Sequence, residues 1–239
     1  MRAGEELFPE IRKAVRALCE DFPATYWREL DRDRAYPRAF VDALTKAGFL
    51  SALIPEEYGG SGLALSAAAT ILEEVQAAGG NGAACHAQMY MMGTLLRHGN
   101  AAQKQKYLPG ITSGETRLQA FGVTEPTSGT DTLSIATTAK RDGDSYVVNG
   151  QKIWTSRAEH SDLMLLLART TPRDQVKKRS EGLSVFLVDM REAAGKGLSI
   201  RPVRTMMNHA TTEIFIEDLR VPAENLIGEE GQGVRYILS

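Results

Sequence analysis

Apolar residues recur at helical spacing over about the first 110 positions, and the period then changes to that of strands. Phe40, Val41, Leu44 and Ala47 make one stripe, Ala68, Ile71, Leu72 and Val75 a second, and Met92, Leu95 and Leu96 part of a third. Breakers separate them: Pro55 with Gly59-Gly60-Ser61-Gly62, then Gly79-Gly80-Asn81-Gly82, then Gly99-Asn100. Asn100 is placed to cap a short helix ending near Leu108-Pro109. The first half therefore reads as an antiparallel helical bundle.

After Gly114, residues 135–140 and 145–149 flank Asp142-Gly143, a hairpin signal, and Asn149-Gly150 reads as a second turn leading into 152–156. Residues 163–168 and 183–188 are short unbroken apolar runs, as expected of strands buried on both faces. Residues 211–216 add a β-branched segment, with Asp218, Pro222 and Asn225 beyond it. The second half reads as a small β domain, a barrel or a sandwich. Gly231-Gln232-Gly233 then opens another helical pattern, with Val234, Ile237 and Leu238 on one face, and only about two turns precede Ser239. The reading is an α+β chain: a helical domain over 1–116, a β domain over 117–228, and the start of a truncated helical domain over 229–239.

Composition changes this picture little. The 239 residues are 43% apolar and 24% charged, enough to bury a sizeable core. Basic and acidic residues nearly balance at a net charge of −2 with no run of Lys or Arg, so nucleic acid is not an expected partner. Residues 1–6 lead into a charged helical pattern, and no stretch reaches the length of an apolar membrane span, so a cytoplasmic location is expected. Cys19 and Cys85 lack CxxC spacing and read as packed helix residues. His86, His98, His160 and His209 show no metal-ligand spacing. Gly80-Asn81-Gly82 falls between helical patterns rather than after a strand, so it reads as a turn, not a dinucleotide loop.

The chemistry concentrates in residues 120–131, Ala-Phe-Gly-Val-Thr-Glu-Pro-Thr-Ser-Gly-Thr-Asp. A strand here ends in a loop shaped by Pro126 and Gly129, so that N–H groups and the hydroxyls of Thr124 and Thr130 can converge on a polar ring edge or a phosphate. The same residue types also make an ordinary solvated turn. Further on, Ile153-Trp154-Thr155-Ser156 supplies one large flat aromatic and two hydroxyls, and Trp154 is either core or the wall of a cofactor site.

Taken together, these segments resemble the acyl-CoA dehydrogenase family. Residues 121–131 follow its first flavin signature and Asn149-Gly150-Gln151-Lys152-Ile153-Trp154-Thr155-Ser156 its second; Pro55-Glu56-Glu57-Tyr58-Gly59-Gly60 and residues 218–228 extend the likeness over nearly the whole chain. The resemblance implies FAD as cofactor, with Phe121 and Val123 meeting the flavin pyrimidine edge through backbone groups and Thr124 through its hydroxyl. It sets Trp154 against the isoalloxazine ring, Thr155 beside it, and the Ser156 hydroxyl near the reactive flavin nitrogen. Thr130 corresponds to a position touching both the cofactor region and the acyl-CoA substrate. Glu125 and Asp131 are implied to hold the loop. Thr127 and Ser128 stand where Gly and Ala are frequent, and Arg157 stands where Asn is common, which bears on acyl specificity.

The implied reaction removes an α proton from an acyl-CoA and passes the β hydrogen as hydride to flavin, giving a trans-2-enoyl-CoA in fatty acid metabolism. The catalytic glutamate is expected beyond Ser239. Implied partners are an electron-transfer flavoprotein as electron acceptor and further copies of the chain, in a homodimer or homotetramer. An acyl-CoA oxidase, a nitroalkane oxidase, and a non-catalytic subunit or scaffold that binds acyl-CoA remain alternative readings of the same scaffold.

Overall fold

The computed structural model describes residues 7–238. Six helices come first: α1 (Pro9–Glu20), α2 (Ala24–Asp33), α3 (Arg38–Lys46), α4 (Leu65–Ala77), α5 (Ala83–His98) and α6 (Ala101–Ser113). Proline at the first position of α1 needs no N–H there, and the helix lays Val15 and Cys19 against α4. Arg12 and Arg16 clasp the buried Glu74 of α4 at 2.5–2.9 Å. Phe40, Val41 and Leu44 of α3 are buried with Cys19, Cys85, Ile71 and Val75 in one cluster, whereas Ala47 lies outside α3 as its exposed C-cap residue.

Asn100 caps α6 as expected, exchanging hydrogen bonds with Gln103 at 2.8 and 3.0 Å. The helix does not end at Pro109 but runs through it to Ser113. A proline there removes one hydrogen bond, yet Leu108 and Ile111 on either side of it are wholly buried, and Gly114, at φ 80, closes the helix. Packing outweighs the local cost.

Eight strands follow: β1 (Leu118–Gly122), β2 (Thr138–Asp142), β3 (Ser145–Ser156), β4 (Leu163–Arg169), β5 (Leu183–Asp189), β6 (Leu198–Pro202), β7 (Thr211–Pro222) and β8 (Leu226–Ile227). Two short α-helices, α7 (Met190–Ala193) and α8 (Gly233–Ile237), lie after β5 and after β8. The strands form one mixed sheet in the order β6-β7-β3-β2-β4-β5-β8, with β1 parallel to β4. The sheet is open and not a closed barrel, since β6 and β8 end it separately. It bends so that Ala139, Tyr146 and Val148 of one wing face Met164, Leu166 and Phe186 of the other, with the Tyr146 and Phe186 rings 4.8 Å apart.

β4 and β5 are buried on both faces, as their unbroken apolar runs predict. Met164, Leu166 and Ala168 of β4 face the inter-wing core, while Leu163, Leu165 and Leu167 pack with Met91, Met92, Leu95 and Leu108 of the helices. The helical and β halves therefore share a core. Three strand boundaries differ from expectation. Residues 135–137 precede β2 rather than belonging to it, and β7 continues past Ile216 to Pro222. Asn149-Gly150 is a bulge inside the unbroken β3 rather than a turn: the pairing with β7 shifts register there, and a Cβ on Gly150 would fall 2.3 Å from Thr137 Oγ1. No helix among the described residues is long and apolar enough to cross a membrane.

Candidate active site at the end of the third strand

Where β1 leaves the sheet at Gly122, the chain enters the loop that carries most of the expected site residues. Its floor is tight: a Cβ on Gly122 would meet Leu166 and Met164 side chains at 3.1 and 3.2 Å. Glu125 and Lys152 bolt the loop down. The Glu125 carboxylate accepts from the main-chain N–H groups of Ala136 and Thr137 at 2.6 and 2.9 Å and from Lys152 Nζ at 2.8 Å, and the same ammonium donates to Val123 O at 3.0 Å. Burial pushes the Glu125 carboxyl up, but Lys152 and the other hydrogen-bond donors outweigh it and hold its pKa below the usual value. Burial pulls the Lys152 ammonium down, and Glu125 restores only part of the loss. Glu125 and Ser128 exchange main-chain hydrogen bonds at 3.0 and 3.1 Å, and Ile153 N–H donates to Thr124 O at 2.9 Å. Glu125 is thus saturated by structural partners and is not free to act as a base.

A second register shift in β3, between Lys152 and Thr155, re-aims Trp154. This indole has φ 61 and is 57% exposed, unusual for so large an apolar group. It borders a cleft of about 650 Å³ together with Phe121, Val123, Thr124, Thr130 and Ser156. Six of the seven residues singled out in the sequence are thus brought together. Thr155 is not among them: it is 2% exposed, lies outside the cleft lining, and its carbonyl accepts from the Thr212 hydroxyl at 2.7 Å. Strand alternation turns it inward, since neighbours on a strand point to opposite faces.

The structure adds residues that the sequence did not mark as part of a site. Tyr90 of α5, Gln119 of β1, Leu133, and Val234 and Ile237 of α8 line the same cleft. Tyr90 lies off the stripe formed by Met92, Leu95 and Leu96, and no one-dimensional signal marks it. Asn208 donates from Nδ2 to Ser156 Oγ at 2.8 Å, orienting that hydroxyl from a distant loop. Asp131, on the cleft rim, accepts from the Ser134 hydroxyl and from Arg179 at 2.5 Å, and these partners hold its carboxyl below the ordinary range.

A bare indole face flanked by the hydroxyls of Thr124, Thr130 and Ser156 suits a flat ring with a polar edge, and the residues present fit a flavin. The fold is that of an α+β protein whose helical half and bent sheet together frame this cleft. Residues 6–115 match the acyl-CoA dehydrogenase N-terminal domain and residues 120–219 the acyl-CoA dehydrogenase middle domain. The chain belongs to the acyl-CoA dehydrogenase family, a family of FAD-using oxidoreductases.

Among its relatives, cyclohex-1-ene-1-carbonyl-CoA dehydrogenase of Syntrophus aciditrophicus is 36% identical over 88% of this chain and 50% of its own length. Glutaryl-CoA dehydrogenase of Desulfococcus multivorans is 32% identical over 95% of this chain and 58% of its own. The crystal structure of an acyl-CoA dehydrogenase from Geobacillus kaustophilus superposes with a TM-score of 0.88 at 31% identity, covering 99% of this chain and 62% of that one. The chain spans 50 to 58% of the length of these two curated relatives.

Proposed function

We propose that this chain provides the flavin and acyl-thioester face of an FAD-dependent acyl-CoA dehydrogenase, which converts an acyl-CoA to the trans-2-enoyl-CoA. The observation that carries this reading is the convergence of Phe121, Val123, Thr124, Thr130 and Ser156 around the bare face of Trp154. FAD, when bound, supplies the electron sink for the β hydrogen. Trp154 would cover one face of the ring. Thr124 and the main chain of Phe121 and Val123 would hold its polar edge. Ser156, kept in place by Asn208, would donate to it where negative charge grows, and Thr130 would reach toward the thioester.

The base that takes the α proton is not assigned within the cleft. Glu125 is buried under Lys152, and Asp131 is tied to Arg179 and Ser134. The reading therefore calls for a catalytic glutamate from outside these residues. An electron-transfer flavoprotein is the acceptor this reading calls for, and a homodimer or homotetramer its assembly. The test is anaerobic titration of the FAD-loaded protein with short, medium and long acyl-CoAs while following flavin absorbance. Tight FAD binding that depends on Trp154 and a spectral change on adding thioester support the reading; no flavin binding at micromolar protein, in the presence or absence of thioester, would sink it.

A further inference from the structure

Arg157 borders the cleft, and no described residue offers its side chain a counter-ion. It follows Ser156 directly, at φ 61, with its main-chain N–H donating to Ala210 O at 2.6 Å. Its Nε is buried without an acceptor, and the side chain makes no hydrogen bond or ion pair with any described residue. The groups that act on it electrostatically are the phenols of Tyr90 and Tyr36 and the thiol of Cys85, all of which burial keeps protonated, Cys85 with its pKa pushed up to about 12. Neither nearby carboxylate serves it: Asp31, in an adjoining cleft of about 540 Å³ that Arg157 also borders, is held by His209 Nε2 at 2.8 Å, and Asp131 is held by Arg179.

Gln119 supplies a second, independent sign. It is wholly buried and lines the same cleft; the Tyr36 hydroxyl donates to its Oε1 at 2.7 Å, and its Nε2 has no acceptor. Buried donors are almost always satisfied, and an unpaired buried cation is costly. A guanidinium and an amide, both lacking acceptors, are completed by an anion that accepts from both.

We infer that the acyl group of the substrate ends in a carboxylate, received by the Arg157 guanidinium with Gln119 Nε2 as second donor. This rests on the acyl-CoA reading above. Arg157 and Ser156 border the same cleft, so a carboxylate at the guanidinium would belong to the molecule whose reacting carbons lie next to the Ser156 hydroxyl. Tyr90, which faces Phe121 across 6.2 Å between ring centroids, borders the same cleft.

The experiment is calorimetric titration of the FAD-loaded protein with succinyl-, glutaryl- and adipyl-CoA and with butyryl-, pentanoyl- and hexanoyl-CoA. It is run on the wild type, Arg157→Gln and Arg157→Lys, with folding checked by thermal unfolding. At least one carboxylate-ended thioester binds about tenfold or more tighter than its methyl-ended counterpart. Arg157→Gln abolishes that preference and Arg157→Lys keeps part of it. The Arg157 Nε–H resonance moves on adding the preferred thioester and not its counterpart, a response that a merely structural arginine does not give. If both series bind wild type equally, the carboxylate assignment falls while the acyl-CoA reading stands. If Arg157→Gln instead weakens FAD and leaves the preference intact, the guanidinium serves the flavin and the inference is overturned. If no thioester binds the flavin-loaded protein, the acyl-CoA reading fails and this inference with it.

Discussion

Replacing Trp154 by Ala separates a cofactor wall from a core residue, because the two roles predict opposite responses. A tryptophan carries about 250 Å² of surface at most. With 57% of Trp154 exposed, about 140 Å² remains to be covered, and a flat ring laid on one face covers roughly half of that. At about 25 cal/mol per Å² the lost contact is worth about 1.8 kcal/mol. Ring stacking adds about 0.5–1.5 kcal/mol, for a total near 2–3 kcal/mol. The dissociation constant for FAD should then rise about 30- to 150-fold, at 1.4 kcal/mol per factor of ten. Stability of the flavin-free protein should fall by no more than about 2.7 kcal/mol, since the part of the indole already buried, about 110 Å², is worth that much at the same rate. Trp154→Phe, which keeps a smaller ring, should fall between. Fluorescence titration with FAD and urea unfolding of the flavin-free protein read the two quantities. A drop of about 3–5 kcal/mol in stability with FAD affinity unchanged is the signature of a buried aromatic, and it would refute the reasoning.

Three further outcomes follow from contacts already described. Ser156→Ala should slow flavin reduction by saturating acyl-CoA at least tenfold in stopped flow while changing thioester affinity less than threefold, because its hydroxyl matters most as charge develops; equal loss in both would make it a binding group only. Glu125→Gln or Lys152→Met should each cost about 3–5 kcal/mol in urea unfolding, and the double variant less than their sum, since each single change strands a buried charge; additive costs would show that the pair is not coupled. Arg16 and Arg12 hold the Glu74 carboxyl at about 2 in the fold against an ordinary value of 4.5, so the native state binds fewer protons than the unfolded chain between these values. The stabilisation by this clasp is complete above pH 4.5 and fades as the pH falls toward 2; the Glu74→Gln variant should therefore lose less melting temperature between pH 5 and 3 than the wild type does, and parallel losses would remove Glu74 from the acid response.

The fold was legible where one period dominates. The stripes of α3, α4 and α5 and the apolar runs of β4 and β5 each point to a single element whose face is fixed by burial. Legibility failed where tertiary contacts overrule a local rule. Pro109 ends a helix by its own chemistry, yet Leu108 and Ile111 carry α6 past it. Asn149-Gly150 favours a turn in a short peptide, but β7 holds the strand on both sides, and Asn149 Oδ1 accepts from Asp218 N–H at 2.8 Å. Closure of the sheet was not legible either, because an open bend and a barrel share the same alternation.

The site was legible through its loop signature and aromatic, and its remainder was not, because Tyr90, Gln119 and Asn208 come from three separate parts of the chain. Backbone strain shows what the patterns could not. Among the described residues, six other than glycine have positive φ: Phe8, Arg34, Trp154, Arg157, Asn208 and Asp218. Three of these surround Ser156: Trp154 two residues before it, Arg157 one after, and Asn208 bonded to its hydroxyl. Each such conformation costs of order 1 kcal/mol and persists only where the surroundings hold it. Ordinary strand geometry already puts Trp154 and Ser156 on one face and Thr155 on the other, but it would turn Arg157 to the side of Thr155. The left-handed Arg157 breaks that alternation, so that an indole, a hydroxyl and a guanidinium border one cleft in the space of four residues. The strain at the end of β3 is the local cost of gathering them, and the bolted Glu125–Lys152 pair beneath is what keeps the strand in place while it is borne.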